Sequence, residues 1–317
     1  MFHMYLHDHP QFKDLLLIVA DREGIAPMLV EKDYWIMHVL SCLEQRFDFA
    51  LKGGTSLSKG HHIIDRFSED LDLLIEPPAD LGFAVNQTSI KDNAVASRKA
   101  FYDWLAQHIQ FPGLVHVERD YAFDDTRYYR SGGIRLIYPS VTTALPGVKG
   151  GILLEAGFSK VAPNAPLSIS SWAYDFAVSN TQDAVTDNRA RAVRCYHPGY
   201  TLVEKIQTVI RHYRQELESG DKQKNFMRQY YDIYSLLDNA EVLAFIGSPE
   251  YQAHKAAWIT GKDALIPVNE HPALLIEDAQ LIAGFTARYV ATEALYYRGQ
   301  PTFAIVLQRI REKLPLL

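Results

Sequence analysis

The most constraining feature of this chain is a short alternation, "DLDLLIE", at residues 70–76. Read as a strand, it sends side chains two apart to the same face, so Asp70 and Asp72 share one side while Leu71 and Leu73 pack on the other. Two carboxylates on one strand face, about 7 Å apart at Cα, can share a divalent cation, and ligation by oxygen alone selects Mg²⁺ or Mn²⁺. The segment before it reads as a strand "FALKGG", a turn at Gly53-Gly54-Thr55-Ser56 and a helix from about Ser56 to Ile64. Backbone N–H groups and hydroxyls at such a turn suit an anion. A phosphate at the turn and a metal at the carboxylates make a site for a nucleoside triphosphate. The phosphate loop G-x-x-x-x-G-K-[ST] does not fit, because Lys59 of "GGTSLSKG" falls inside the helix.

The rest of the chain divides in two. Residues 10–45 predict two helices, the first ending at Gly24 and the second opening on Pro27. Strand-like runs follow at "FDFALKG", "DLDLLIE", "LVHVERD", "GIRLIYPS" and "GGILLEAGF", with a long helical pattern at "SIKDNAVASRKAFYDWLAQHIQ" among them. From about Tyr200 the pattern is helical throughout, and the stretch from "APNAPLSISS" to "TDNRAR" reads as a linker. The expected architecture is α/β (α+β), a mixed sheet flanked by helices over 1–190 followed by a helical lobe over 191–317.

Two cysteines, Cys42 and Cys195, cannot build a disulfide framework, and no run of about eighteen apolar residues occurs. A cytoplasmic, unanchored protein is expected. Net charge is −6, which argues against a generic nucleic-acid binder. Charge is uneven, however. Arg189, Arg191, Arg194, Lys205, Arg211, Arg214, Lys222, Lys224 and Arg228 stand against four acids in the same tract, an excess that could hold an RNA backbone or be a solvated face. "YYRSGG", with Arg127, Arg130 and Arg135 nearby, could stack a base. In "VEKDYW", Glu31, Lys32 and Asp33 fall on different helix faces and read as packing and surface.

The segments "GGTSLSK" (Gly53 to Lys59) and "RFSEDLD" (Arg66 to Asp72) resemble the nucleotidyltransferase-fold superfamily, and within it the AbiEii/AbiGii family of bacterial abortive-infection toxins. "VEKDYW", "EKIQTV" (Glu204 to Val209) and "RQYYDIYSLL" (Arg228 to Leu237) agree with that family pattern, over about residues 25–240. Where the family usually has a basic-acidic pair before its "YD-x-Y" element, this chain has Gln229-Tyr230.

The resemblance implies a nucleotidyltransferase-like fold and a toxin of a toxin–antitoxin pair. Its reaction would be metal-dependent transfer of a nucleoside monophosphate to RNA, at tRNA 3′ ends, with an antitoxin encoded nearby. It implies Asp70 and Asp72 as catalytic metal ligands, with Glu155 of "GGILLEAGF" as a third carboxylate. Lys205 would contact the triphosphate and Asp232 would face the nucleotide from the helical lobe. Arg66, Gly53, Gly54, Thr55 and Ser56 complete the nucleotide-binding set. An exposed helical pair of Arg228 and Asp232 is the plainer reading of that acid. Two other functions stay open: a nucleotidyltransferase with a small-molecule or protein acceptor, and a non-catalytic module on the same fold.

Overall fold

The structure, a computed structural model, describes residues 4–181, 185–223 and 225–317. Two compact units emerge, one of residues 1–61 and 67–196, the other of residues 62–66 and 197–317. The first begins with helices α1 (Phe12–Glu23) and α2 (Pro27–Glu44). Gly24, with φ of 68°, closes α1 in the left-handed conformation, and Pro27 sits in the first turn of α2. Helix α2 is buried at every position from Met28 to Leu43. A helix apolar nearly all round is stable only when neighbours cover every face, and α1, α5 (Trp172–Asn180) and strand β7 (Ala190–Tyr196) do so.

The other elements of this unit are β1 (Phe49–Lys52), α3 (Gly53–Thr55), β2 (Asp70–Ile75), α4 (Asp92–His108), β3 (His116–Arg119), β4 (Ser131–Ile137), β5 (Ile152–Gly157) and β6 (Asn164–Ile169). The seven strands form one mixed sheet in the order β3-β4-β5-β2-β1-β7-β6. β1 runs antiparallel to β2 and parallel to β7, and β2 runs parallel to β5. All five strand-like runs of the sequence form strands, β1 to β5. The expected linker is corrected: it holds two more strands and a helix, and the sheet runs on through Tyr196. β6 lies at the sheet edge, where Pro166 can be tolerated because the edge leaves its missing N–H unneeded.

The second unit is helical, as expected: α6 (Pro198–Ser219), α7 (Phe226–Leu236), α8 (Ala240–Phe245), α9 (Pro249–Trp258), α10 (Pro272–Leu275), α11 (Ala279–Val290) and α12 (Phe303–Lys313). The helical pattern is interrupted at Ile276, whose φ of 28° ends α10, and Asp278 caps α11 anew. Residues 62–66 belong to this unit through backbone bonds: Asp65 N–H donates to Tyr231 Oη, and Tyr297 Oη donates to Ile64 O. No helix among the described residues is long and apolar enough to cross a membrane.

Candidate active site

Sheet register assembles the acids. In the β2/β5 pair Asp72 is the Cα partner of Glu155, and Asp70 lies one pleat away opposite Leu153. Partners across a ladder point to the same face, so Asp70, Asp72 and Glu155 project from one side of the sheet. Leu71, Leu73 and Leu154 are buried on the other. Lys52 of β1 pairs with Asp72 and joins that face.

Electrostatics shows strain among these acids. Burial pushes the Glu155 carboxyl up to about 8, and the charges of Asp72 and Asp70 add to it. Burial likewise raises Asp70, against the pull of Lys149 and Lys32. One oxygen of Asp70, Oδ1, is buried with no hydrogen-bond partner. Crowded, half-buried carboxylates with an oxygen lacking a partner are a donor set suited to a hard divalent cation. Among the described residues no three His, Cys, Asp or Glu side chains close into a ligand cage; the three acids share a face without converging on one point.

The turn before β2 departs from expectation. The helix expected to Ile64 stops at Gly60: α3 passes into one wide turn over Ser56–Gly60, closed by His61 N–H donating to Ser56 O at 2.9 Å, and His62 then takes a φ of 54°. Nor are the hydroxyls offered outward. Thr55 Oγ1 donates to Asp70 O at 2.7 Å, and Ser56 is buried beside the Cys195 thiol, which burial lifts to about 11. The Thr55 hydroxyl therefore ties the turn to the sheet. Gly53 is required by geometry: its φ is 71°, and a Cβ there would stand 1.9 Å from Asp72 Oδ2. Gly54 is buried in the same turn.

Arg66, Lys205 and Asp232 meet in the helical unit. Arg66 grips Asp232 with both edges, Nε to Oδ1 at 2.6 Å and Nη2 to Oδ2 at 2.7 Å, and Lys205 Nζ reaches Oδ2 at 2.9 Å. Burial alone would raise the Asp232 carboxyl, but Arg66 and Lys205 outweigh it and hold it below the usual range. Arg66, expected in the nucleotide-binding set, is held by this carboxylate. One expectation is corrected: Asp232, at 0% exposure, is not an exposed partner of Arg228. Arg228 bonds Asn225 instead.

The charges of α2, expected as packing and surface, are all interior and each is bonded. Glu31 accepts from Val141 N–H at 2.7 Å and Ser140 Oγ at 2.8 Å; Lys32 donates to Lys149 O at 2.7 Å and lies 3.5 Å from Glu69; Asp33 pairs with Lys59 at 2.9 Å and accepts from Trp172 N–H. Three consecutive charges within an otherwise apolar helix were the available signal, since buried charges need partners.

The basic tract is divided between the two units. Arg189, Arg191 and Arg194 precede or lie on β7, whereas Lys205, Arg211 and Arg214 lie on α6. Arg189 and Arg191 share Asp187, Arg194 pairs with Asp48, and Arg214 with Asp263. Lys224 lies outside the described residues. In the tyrosine cluster, Arg127 and Arg130 stack on Tyr128 while Arg135 binds Asp120.

A family described as "Nucleotidyl transferase AbiEii toxin, Type IV TA system" matches residues 35–311. No curated protein matches the sequence. Among solved structures, the chain is similar to an antigenic nucleotidyltransferase-like protein from Paracoccidioides brasiliensis. The likeness is 18% identity over 72% of this chain and 88% of that one, with a TM-score of 0.37. With the family description covering most of its length, this chain belongs to the AbiEii family of nucleotidyltransferase toxins of type IV toxin–antitoxin systems.

Proposed function

We propose that the protein is a metal-dependent nucleotidyltransferase that moves a nucleoside monophosphate from a nucleoside triphosphate to RNA, at tRNA 3′ ends. The observation that carries the metal and nucleotide part is the pairing of Asp72 with Glu155 beside Asp70, three under-neutralised carboxylates on one sheet face. Those three would hold Mg²⁺ or Mn²⁺, which when bound supplies charge neutralisation at the phosphates and acidifies the attacking hydroxyl. An acceptor hydroxyl oxygen forms the new bond to the α-phosphorus, the bond from that phosphorus to the β-bridging oxygen breaks, and pyrophosphate leaves with the electron pair. Gly53 keeps the space beside Asp72 open for this. No covalent enzyme intermediate is needed, because positioning and charge stabilisation suffice.

Roles for Lys205 and Asp232 rest on the family pattern. Lys205 would serve the triphosphate, with Asp232 as the positioning residue that fixes its ammonium. Membership of a type IV system implies an antitoxin; we place its gene nearby, the reaction in the cytoplasm and its biological role in abortive infection. A second reading, a small-molecule or protein acceptor, is favoured by the pairing of the tract's arginines with acids, which leaves less free charge for an RNA backbone.

Incubation with each labelled nucleoside triphosphate, Mg²⁺ or Mn²⁺ and total RNA separates these readings. RNA labelled at its 3′ end with matching pyrophosphate release is the expected result. Label in protein or small molecules, with RNA unlabelled, would move the second reading ahead. Absence of transfer to any acceptor overturns both.

A further inference from the structure

Lys149, in the segment between β4 and β5, stands against the carboxylate face, and neither the strand pattern nor the family pattern marks it. Its backbone is held at both ends. The N–H donates to Glu69 Oε2 at 3.2 Å, and the carbonyl accepts from Lys32 Nζ at 2.7 Å. Lys32 is fully buried, and burial lowers its pKa against the support of Glu69. Upstream, Glu31 holds Val141 and Thr142 by their N–H groups, at 2.7 and 3.2 Å. Two buried charges of α2 and one ahead of β2 thus fix a segment with no regular structure of its own. Such buried ion and hydrogen-bond networks are costly to assemble, so what they orient is informative.

They orient an ammonium. Lys149 Nζ lies 4.0 Å from the centroid of the Phe123 ring. Phe123 covers Gly133, the Cα partner of Glu155, where a Cβ would stand 2.8 Å from Phe123 Cβ, so ring and ammonium lie on the sheet face that carries Asp70 and Glu155. Yet among the described residues Lys149 forms no ion pair with either, and Asp70 Oδ1 keeps no partner. A lysine serving only as counter-ion would close onto that oxygen. This one is parked on an aromatic face, within Coulombic reach of the acids and free to take an anion. The hydroxyls of Thr55 and Ser56, turned inward, do not compete for that role.

We propose that Lys149 is a phosphate ligand of the transferase site, an ammonium preset on Phe123 that takes the β- or γ-phosphate of the nucleoside triphosphate once a divalent cation occupies the carboxylates. This rests on the reading of Asp70, Asp72 and Glu155 given above. The point charge and flexible stem of lysine suit it.

The test compares wild type with Lys149→Met and Lys149→Arg. Three quantities are measured: calorimetric affinity for a non-hydrolysable nucleoside triphosphate analogue with Mg²⁺, Mn²⁺ binding without nucleotide by electron paramagnetic resonance, and thermal melting. Lys149→Met should bind the analogue roughly ten- to a hundredfold more weakly, the worth of one charged hydrogen bond. Lys149→Arg should retain most of the affinity, and Mn²⁺ alone should bind Lys149→Met no more weakly than wild type. In the wild-type protein, the analogue with Mg²⁺ should protect Lys149 from acetylation, read by mass spectrometry, which needs no variant to fold. Unchanged analogue affinity in Lys149→Met, or unprotected Lys149 at saturating analogue, overturns the proposal. Asp72→Ala separates the two levels of the argument. If it transfers as wild type does, the site reading falls and takes this proposal with it. If it is inactive while Lys149→Met binds normally, only the lysine assignment falls.

Discussion

Two clusters of charge, one half-buried and one buried, are built on opposite plans. On the sheet face, Asp70, Asp72 and Glu155 crowd like charges together, and Lys149 is held off them on Phe123. In the helical unit, a single carboxylate, Asp232, is closed on by Arg66 with two bonds and by Lys205 with one. In the second cluster every bond of the carboxylate is met by a cation. The first leaves Asp70 Oδ1 without a hydrogen-bond partner and holds its nearest aromatic-bound lysine off the acids. Burial of charge does not by itself mark a ligand site; an unmet balance of charge does.

The comparison breaks most visibly in activity. Asp70→Ala or Asp72→Ala should lower transfer on the order of a thousandfold by removing a ligand of a shared cation, while the melting temperature holds or rises because like-charge crowding is relieved. Wild-type turnover in Asp72→Ala would sink the assignment. Asp232→Ala should do the reverse to stability, removing the buried carboxylate that Arg66 and Lys205 share, at about 3 to 5 kcal/mol. Denaturant titration of both variants checks the contrast, which fails if they lose equal stability. Gly53→Ala comes next, at about 1 to 3 kcal/mol for a left-handed non-glycine residue whose methyl also meets Asp72 Oδ2. It should weaken Mn²⁺ binding as well as lower the melting temperature.

The comparison also reaches pH dependence, where the two clusters should differ in sign. The Glu155 carboxyl is lifted from 4.5 to about 8 by burial and by its acidic neighbours. Between those values the metal-free folded protein holds a proton that the unfolded chain has lost, so stability falls as pH rises through that window. Asp232 is depressed below 3.8, burial being outweighed by Arg66 and Lys205. Its contribution is present above that value and is lost as pH falls through the folded pKa. Glu155→Gln should therefore flatten the neutral-to-alkaline slope of melting temperature and leave the acid limb in place. An unchanged slope would remove Glu155 from the strained set.

Much of this was legible in one dimension. Asp70 and Asp72 declare a shared face because a strand has period two, and the helical unit shows in its 3.6-residue pattern. Glu155 could be suspected as a lone acid in an apolar run, but its register opposite Asp72 is a property of the β2/β5 pair. β7 was hidden because its arginines read as a basic tract, and β6 because Pro166 and few β-branched residues blunt the strand signal. Glu31, Lys32 and Asp33 were misread for a related reason: three faces of one helix can all be interior, and their partners at 140–142, 69 and 59 come from elsewhere in the chain. Arg66 and Asp232 could not be matched from sequence, since nothing local pairs residues so far apart.

The parallel partnership of β1 with β7, Ala50 beside Arg194 and Leu51 beside Cys195, bears on how the protein is born. Nothing occupies that side of β1 until the ribosome has released residues up to Tyr196. A nascent chain short of that point presents a bare, largely apolar strand edge, the kind that recruits other chains. Maturation of the sheet is thereby postponed to late in synthesis, so a premature stop anywhere ahead of Ala190 should yield insoluble debris, not a weakened toxin. The cell that makes this protein is exposed to it only once translation is well advanced.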